Sequence, residues 1–216
     1  MSYNYPHRIA IAGRAHSGKS TLAKALQTYF AEVEGVTIPV HSFAEPLKAG
    51  CEAMGLLSFP GPEGRMIKRK ALQSVGDTVR REIGDDYWVN LFEKQHHDEI
   101  ISSGIIIDDI RYPNELLWAA SHGFVIVSTI ASERTRAQWI YESGMFPSFD
   151  DAVKAVDEAS GHVSEQLPLT DHNIDVVCMP WESIPRRVRR VVDVVYRRYG
   201  ISRHDHDERD VHGQAD

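Results

Sequence analysis

The sequence predicts a three-layer α/β fold around a parallel sheet, and three observations carry that expectation. A short apolar run, Arg8-Ile9-Ala10-Ile11-Ala12, stops at Gly13 and feeds a helical pattern from about Lys19. A longer run, Gly104-Ile105-Ile106-Ile107-Asp108-Asp109, is apolar until it ends in two carboxylates. Apolar runs and helix-period stretches then alternate, an order that calls for parallel strands joined by crossovers. A chain of 216 residues suffices for one substantial core.

Each element has its own signature. The first strand is bounded by glycine, as buried parallel strands feeding tight turns are. The helix after it repeats Leu22, Ala25, Leu26 and Tyr29 on one face and closes at Gly35; Val36 to Phe43 reads as a second strand. Helices are expected at 46–54, 68–83 and 87–101, with a mobile Gly/Pro-rich loop at 55–64. The run from Gly104 is the central strand, and a helix over 113–121 leads through Gly123 to a strand at 124–130. Polar, helix-prone sequence from 132 to 167 interrupts the alternation, which resumes with a strand at 174–178. The last helix, 183–199, carries Val188, Val191, Val192, Val195 and Tyr199 on one face and its arginines on a solvated side. The His/Asp-rich tail, 201–216, lacks apolar periodicity and is expected to be disordered.

Composition narrows the class. Hydrophobic content of 42% with 25% charged residues is that of a globular domain. A net charge of -7 argues against a broad grip on nucleic acid, so no stable nucleic-acid complex is expected. Cys51 and Cys178 are far apart and read as buried thiols rather than a zinc cage or a disulfide. No apolar run approaches a membrane span, and the N-terminal segment lacks the apolar stretch of a signal peptide. A cytoplasmic protein is therefore expected, in the host cytoplasm if phage-encoded.

Gly13-Arg14-Ala15-His16-Ser17-Gly18-Lys19-Ser20, followed by Thr21, fits the pattern G-x-x-x-x-G-K-[ST] between a strand and a helix. Such a loop turns successive backbone N–H groups toward a phosphate, and the helix N-terminus adds the positive end of its dipole. The motif predicts a P-loop NTPase fold that binds ATP and Mg²⁺, with Lys19 on the β- and γ-phosphates and the Ser20 hydroxyl on the metal. The cradle is shared by kinases, ATPases and GTPases. A Ras-like GTPase needs a guanine-reading N-K-x-D segment, which the chain lacks.

A small-molecule kinase needs an acceptor lobe, arginines on a closing segment and carboxylates near the transferred group. For the acceptor lobe the sequence offers Glu45-Pro46-Leu47-Lys48 and the stretch from Leu72-Gln73 to Arg80-Arg81. The adjacent arginines are read either as a phosphate clamp or as a solvated basic face. Asp108 and Asp109 emerge where open α/β sheets bind ligands. One of them organises Mg²⁺ or orients the acceptor oxygen, with Arg111 on a phosphate; alternatively an Asp caps the helix that follows. Arg134 and Arg136, in Glu133-Arg134-Thr135-Arg136, are the lid candidates, against the alternative of surface helix arginines.

Taken together, the loop, Glu45-Pro46-Leu47-Lys48, the stretch to Arg80, Tyr87-Trp88-Val89, Asp109-Ile110-Arg111-Tyr112-Pro113-Asn114-Glu115 and His162-Val163-Ser164-Glu165 resemble the phage-type deoxynucleoside monophosphate kinase family, over about 8–177. D-x-R-[FY]-P-N-E and H-x-S-E are the more specific elements. The resemblance implies an NMP-kinase-like fold and the reaction dNMP + ATP giving dNDP + ADP with Mg²⁺. It places Asp109 and Arg111 at the active centre and Arg80 near the acceptor, with Glu115 and Glu165 bracing the site. Lys19, Asp109, Arg111, Arg134 and Arg136 are then the expected catalytic groups, and Ser20 and Asp108 the metal-side pair. Lys48, Gln73, Arg80, Arg81, Trp88, Asp108, Arg111 and Glu165 are expected at the acceptor.

The chain departs from the family in pairing Asp108 with Asp109 and in its long 136–159 segment, a segment that also resembles P-loop phosphomevalonate kinases. The expected organisation is one kinase domain over 1–200, with its core at 8–43, 104–130 and 168–199. An acceptor insertion occupies 44–102 and a lid 131–167, and a homodimer is allowed. Alternatives are a kinase of a modified pyrimidine in DNA or of another phosphorylated metabolite, and a non-catalytic nucleotide-binding module.

Overall fold

A computed structural model describes residues 7–162, Leu167 and residues 174–200. Five strands, β1 (His7–Ala12), β2 (Val40–His41), β3 (Gly104–Ile110), β4 (Val125–Thr129) and β5 (Val176–Cys178), form one sheet in the order β2-β3-β1-β4-β5. Every pairing is parallel. This is the three-layer α/β arrangement that the sequence predicts, but the middle strand is β1, which bears the glycine loop, and the Gly104 run lies beside it.

Eight helices complete the described chain: α1 (Lys19–Tyr29), α2 (Glu45–Ala53), α3 (Gly61–Ile83), α4 (Tyr87–Ile101), α5 (Pro113–Ser121), α6 (Glu133–Glu142), α7 (Phe149–Ser160) and α8 (Ile184–Arg198). Side-chain alternation along the strands divides the core. Ile9, Ile11, Ile106, Val125 and Val127 face α1 and α8 through Leu22, Leu26, Val188, Val191, Val192 and Val195. Ala10, Ile105, Ile107 and Ile126 face α4 and α5 through Val89, Phe92, Leu116 and Ala119. Successive residues of a strand point to opposite faces, so an unbroken apolar run is what a sheet covered on both sides requires. Beyond β4, α6 and α7 share a small core of Ala137, Ile140, Ala152 and Val156.

Several boundaries move. The strand expected over 36–43 is cut to Val40–His41, since Pro39 has no N–H to offer a ladder; its carbonyl still accepts from the Ile106 amide at 2.9 Å. The loop expected at 55–64 is half helix, because α3 begins at Gly61 with Pro62 in its first turn, where a missing N–H costs nothing. The last turn after α1 is a π-turn, Phe30–Glu34, closed by Gly35 at φ 69°. Nor is the basic side of α8 simply solvated: Arg187 is buried, Arg190 donates to the Val177 carbonyl and to Glu182, and Arg198 reaches Asp175. Cys51 and Cys178 are buried free thiols, and burial pushes Cys178 up to about 11. Among the described residues no helix is long and apolar enough to cross a membrane. The 201–216 tail lies outside the described residues.

Candidate active site

The glycine loop leaves β1 and returns as α1. A Cβ on Gly13 would stand 2.4 Å from Thr129 Oγ1 and 2.6 Å from the Thr129 carbonyl, and the φ of Gly13 is 147°, so only glycine fits. Ser17 Oγ and Thr129 Oγ1 are 2.7 Å apart, tying the loop to the end of β4. His16, at φ 61°, is the one non-glycine residue with positive φ among the described residues. Alternation of right- and left-handed backbone is what makes a concave nest of N–H groups. Gly18, the N-cap of α1, gives the first turn no side-chain acceptor, leaving its amides to an anion.

Lys19 is buried, and its Nζ donates to the carbonyls of Gly13 and Arg14 at 2.7 and 2.9 Å. Those bonds hold the ammonium over the mouth of the nest. Arg14 is exposed and makes a loose pair with Glu133 at 3.5 Å.

The end of β3 supplies the acids. Ala10 pairs with Ile107 but Ala12 pairs with Ile110, so Asp108 and Asp109 stand opposite the single residue Ile11. A bulge of this kind re-aims side chains that would otherwise point to opposite faces. Both aspartates consequently line the same cavity. Asp108 Oδ2 accepts from Ser20 Oγ at 2.7 Å, whereas Asp109 Oδ1 accepts from Arg111 Nε. The Ser20–Asp108 pair fits Mg²⁺: both donors are oxygens, and adjacent oxygens of an octahedral Mg²⁺ stand about 3 Å apart.

The cavity holds about 780 Å³ and runs from Ala15, His16, Gly18, Lys19, Ser20 and Thr21 across the two aspartates to α2, α3 and α4. Phe43, Leu47, Leu72 and Trp88 form its apolar wall; Lys48, Gln73, Asp77, Arg80 and Arg111 add polar groups. Arg65, Lys68 and Arg69 make the first half of α3 cationic along the same cavity. Arg65 donates to the Met145 carbonyl and lies over Phe146, so α3 meets the segment between α6 and α7 above the opening.

Around the end of the cavity lined by α3 and α5 runs a network whose connections the sequence did not disclose. Glu115 is buried, and its carboxylate accepts from Arg80 Nη2 at 2.6 Å and from the amides of Arg111 and Tyr112 at 2.8 and 3.1 Å. Desolvation pushes Glu115 up to about 7, opposed by Arg80 and by the Arg111 amide. The Arg80 guanidinium also donates to the Asp85 carbonyl and stacks on Tyr112 at 3.7 Å. The Tyr112 hydroxyl donates to Asp77, which His162 meets from the far side at 3.1 Å; burial and Asp77 together push the phenol up.

The remaining expected residues fall as follows. Gln73 and Trp88 line the cavity, the indole donating to the Gly76 carbonyl. Lys48 lines it too and donates to Ser42 Oγ. Arg81 is exposed and paired with Glu82, away from the cavity wall. Of the lid arginines, Arg134 is exposed with its guanidinium 6.0 Å from the Phe149 ring. Arg136 is fully buried, donating to the Ala15 carbonyl at 3.0 Å and to Ser160 at 2.9 Å, which puts it beneath the loop. Neither lines the cavity. Glu165, Val163 and Ser164 lie outside the described residues.

Missed entirely was Arg187 of α8, whose Nη1 lies 3.7 Å from where a Cβ on Gly18 would stand. Helical periodicity assigned it to the wet face, and no local signal marks it as a neighbour of the loop.

No protein-family model and no curated protein matches the chain. Among solved structures it is similar to a gluconokinase from Sinorhizobium meliloti, at 14% identity over 90% of this chain and 94% of that one, TM-score 0.49. An APS kinase from Mycobacterium tuberculosis is similar at 15% identity, 88% and 98% coverage and TM-score 0.48. A shikimate kinase from Aquifex aeolicus is similar at 14% identity, 89% and 98% coverage and TM-score 0.41.

Proposed function

We propose that the protein is a cytoplasmic ATP-dependent kinase whose acceptor is a small phosphorylated molecule, a deoxynucleoside monophosphate in the reading its sequence favours. One observation carries this: the Lys19–Ser20 cradle and the Asp108–Asp109 bulge open into a cavity that continues past them into a lobe with its own cations. A nucleotide switch has no use for that second compartment, whereas a transferase needs it for the acceptor.

Acceptor chemistry follows from the lining. Phe43, Leu72 and Trp88 offer an apolar, partly aromatic wall suited to a planar base, and Gln73 and Asp77 offer hydrogen bonds to its edge. Arg111, set by Asp109, is the cation for the acceptor phosphate. Arg80 is engaged with Glu115, Asp85 and Tyr112, and its role is to brace the wall. Buried Arg136 braces the loop from below.

In the transfer, an oxygen of the acceptor phosphate attacks the γ-phosphorus of ATP, the bond to the β,γ-bridging oxygen breaks, and ADP leaves. A phosphate monoester is largely dianionic at neutral pH, so the attacking oxygen carries no proton and needs no general base. The carboxylates therefore serve positioning: Asp109 fixes Arg111, and Asp108 with Ser20 would hold Mg²⁺. When bound, Mg²⁺ neutralises the phosphate oxygens. Lys19 follows the charge that builds on the leaving group.

The test is incubation of the purified chain with Mg²⁺-ATP and each deoxynucleoside monophosphate, with chromatographic separation of products. Equal yields of ADP and one dNDP are expected. Phosphorylation of DNA but of no free monophosphate, falling steeply with salt, would move the acceptor to a polymer. ATP binding without transfer to any phosphorylated acceptor would overturn the kinase reading.

A further inference from the structure

The end of β2, the first turn of α2 and the middle of α4 bring two imidazoles and two carboxylates together behind the acceptor wall. His41 and His96 face each other with ring centroids 4.0 Å apart. Glu45 Oε2 is 2.9 Å from His41 Nδ1 and 3.9 Å from His96 Nε2. Glu99 Oε2 takes the other nitrogen of each ring, 2.8 Å from His96 Nδ1 and 3.2 Å from His41 Nε2.

A solvated ion-pair patch has no reason to address both nitrogens of two rings that face each other at an interplanar angle of 38°. His41 Nε2 is buried and has no aligned hydrogen-bond partner among the described residues. His41, His96 and Glu45 each offer one ligand atom, and those three atoms all lie within 4.8 Å of one another. The backbone of α4 leaves helical geometry at His96 itself, φ -115° and ψ 16°, with no proline there to cause it. With neutral rings the four side chains carry two negative charges and no positive one, a balance that a dication reverses.

We propose that His41, His96 and Glu45 bind one divalent first-row transition metal, zinc by the chemistry of the donor set, and that Glu99 orients both rings from outside. Two imidazole nitrogens and a carboxylate oxygen are borderline ligands of the kind zinc takes. Tetrahedral ligands about 2.1 Å from zinc stand about 3.4 Å from one another. The observed 2.9 and 3.9 Å separations bracket that figure, so small side-chain rotations complete the site. The outer N–H of His96 then donates to Glu99, the carboxylate–histidine–metal relay that fixes tautomer and ring plane, and a small rotation brings His41 Nε2, 3.2 Å from the same oxygen, into line. Glu45 Oε1 is already held by the Ser42 amide at 3.0 Å, which leaves Oε2 for the ion. A bound ion fastens β2 and α2 to α4, and these elements carry Phe43, Leu47 and Trp88 to the cavity.

The test uses the full chain, freed of any affinity tag and stripped with chelator. It is titrated with Zn²⁺ by calorimetry and with Co²⁺ by visible absorption, and melted with and without Zn²⁺. One equivalent is expected, with ligand-field bands for Co²⁺ and a Zn²⁺-dependent rise in Tm. His41→Gln and His96→Gln should each lose that equivalent and the rise, and Glu99→Gln should bind about 10–100-fold more weakly. A triple variant of the tail, His204→Gln with His206→Gln and His212→Gln, should keep the site. If a ring variant fails to fold, Glu99→Gln decides alone. Equal zinc uptake by the wild type, His96→Gln and Glu99→Gln, or its loss in the tail variant, would overturn the proposal.

Discussion

Ser20 Oγ donates to Asp108 Oδ2 across 2.7 Å, joining the first turn of α1 to the end of β3 between residues 88 apart in the chain. The contact depends on the bulge that sets Asp108 and Asp109 against Ile11 alone. In a regular strand one of these two acids would face the opposite side of the sheet. Here both turn to the cavity, and their partners separate them: Asp108 sits on the hydroxyl of the phosphate loop, Asp109 on Arg111.

That separation gives the acids different phenotypes. Asp108→Asn should raise the Mg²⁺ concentration needed for half-maximal activity about tenfold or more while leaving the acceptor KM nearly constant. Asp109→Asn should do the reverse, raising the acceptor KM by roughly tenfold, the worth of about one charge-assisted hydrogen bond. Kinetics at varied Mg²⁺ and varied acceptor separate the two, and an exchange of phenotypes would reverse the assignment.

Lys19→Ala removes the cation over the nest. Turnover should fall by about 10²–10³-fold or more, with far-UV circular dichroism unchanged and the β-strand core intact. Retained activity in a coupled ADP assay would sink the cradle assignment.

Arg136 is fully buried and bonds a loop carbonyl, so its removal leaves both a cavity and an orphaned acceptor at Ala15. Arg136→Ala should cost about 2–4 kcal/mol in urea unfolding. Arg136→Lys should recover little, because a single ammonium cannot span Ala15 and Ser160 as the guanidinium fork does. A neutral Arg136→Ala would mean that the loop does not lean on this residue.

The buried Glu115 makes stability depend on pH. Its folded-state value is pushed up to about 7 from 4.5, so between those values the folded chain holds a proton that the unfolded chain has released. The contribution is full below about pH 4.5 and is lost as pH rises through 7, about 3 kcal/mol in all. Unfolding free energies of the wild type and Glu115→Gln should therefore separate between about pH 5 and 8, as the wild type loses stability that the amide keeps. Parallel curves would show that Arg80 and the two amides keep Glu115 ionised throughout.

Much of this site was legible in one dimension, because its parts are local. Helix α5, for instance, runs over 113–121 as expected, since Pro113 fixes its start and Gly123 follows its end. The network beside Glu115 was legible only in fragments: Asp77, Arg80, Tyr112, Glu115 and His162 meet from three stretches of chain, and periodicity reports which face of a helix is apolar without naming what lies opposite.

By itself the sequence determined the phosphate loop, the covered parallel sheet and the candidate acids, because glycine spacing and apolar runs act within a few residues. The tertiary structure alone decided which acid meets Ser20, that Arg136 lies beneath the loop, that Arg187 approaches Gly18, and that His41 and His96 face each other. Each of those outcomes turns on a bulge, a kink or a contact between distant segments, and the direction of a side chain there is set by packing across the fold rather than by its neighbours in the chain.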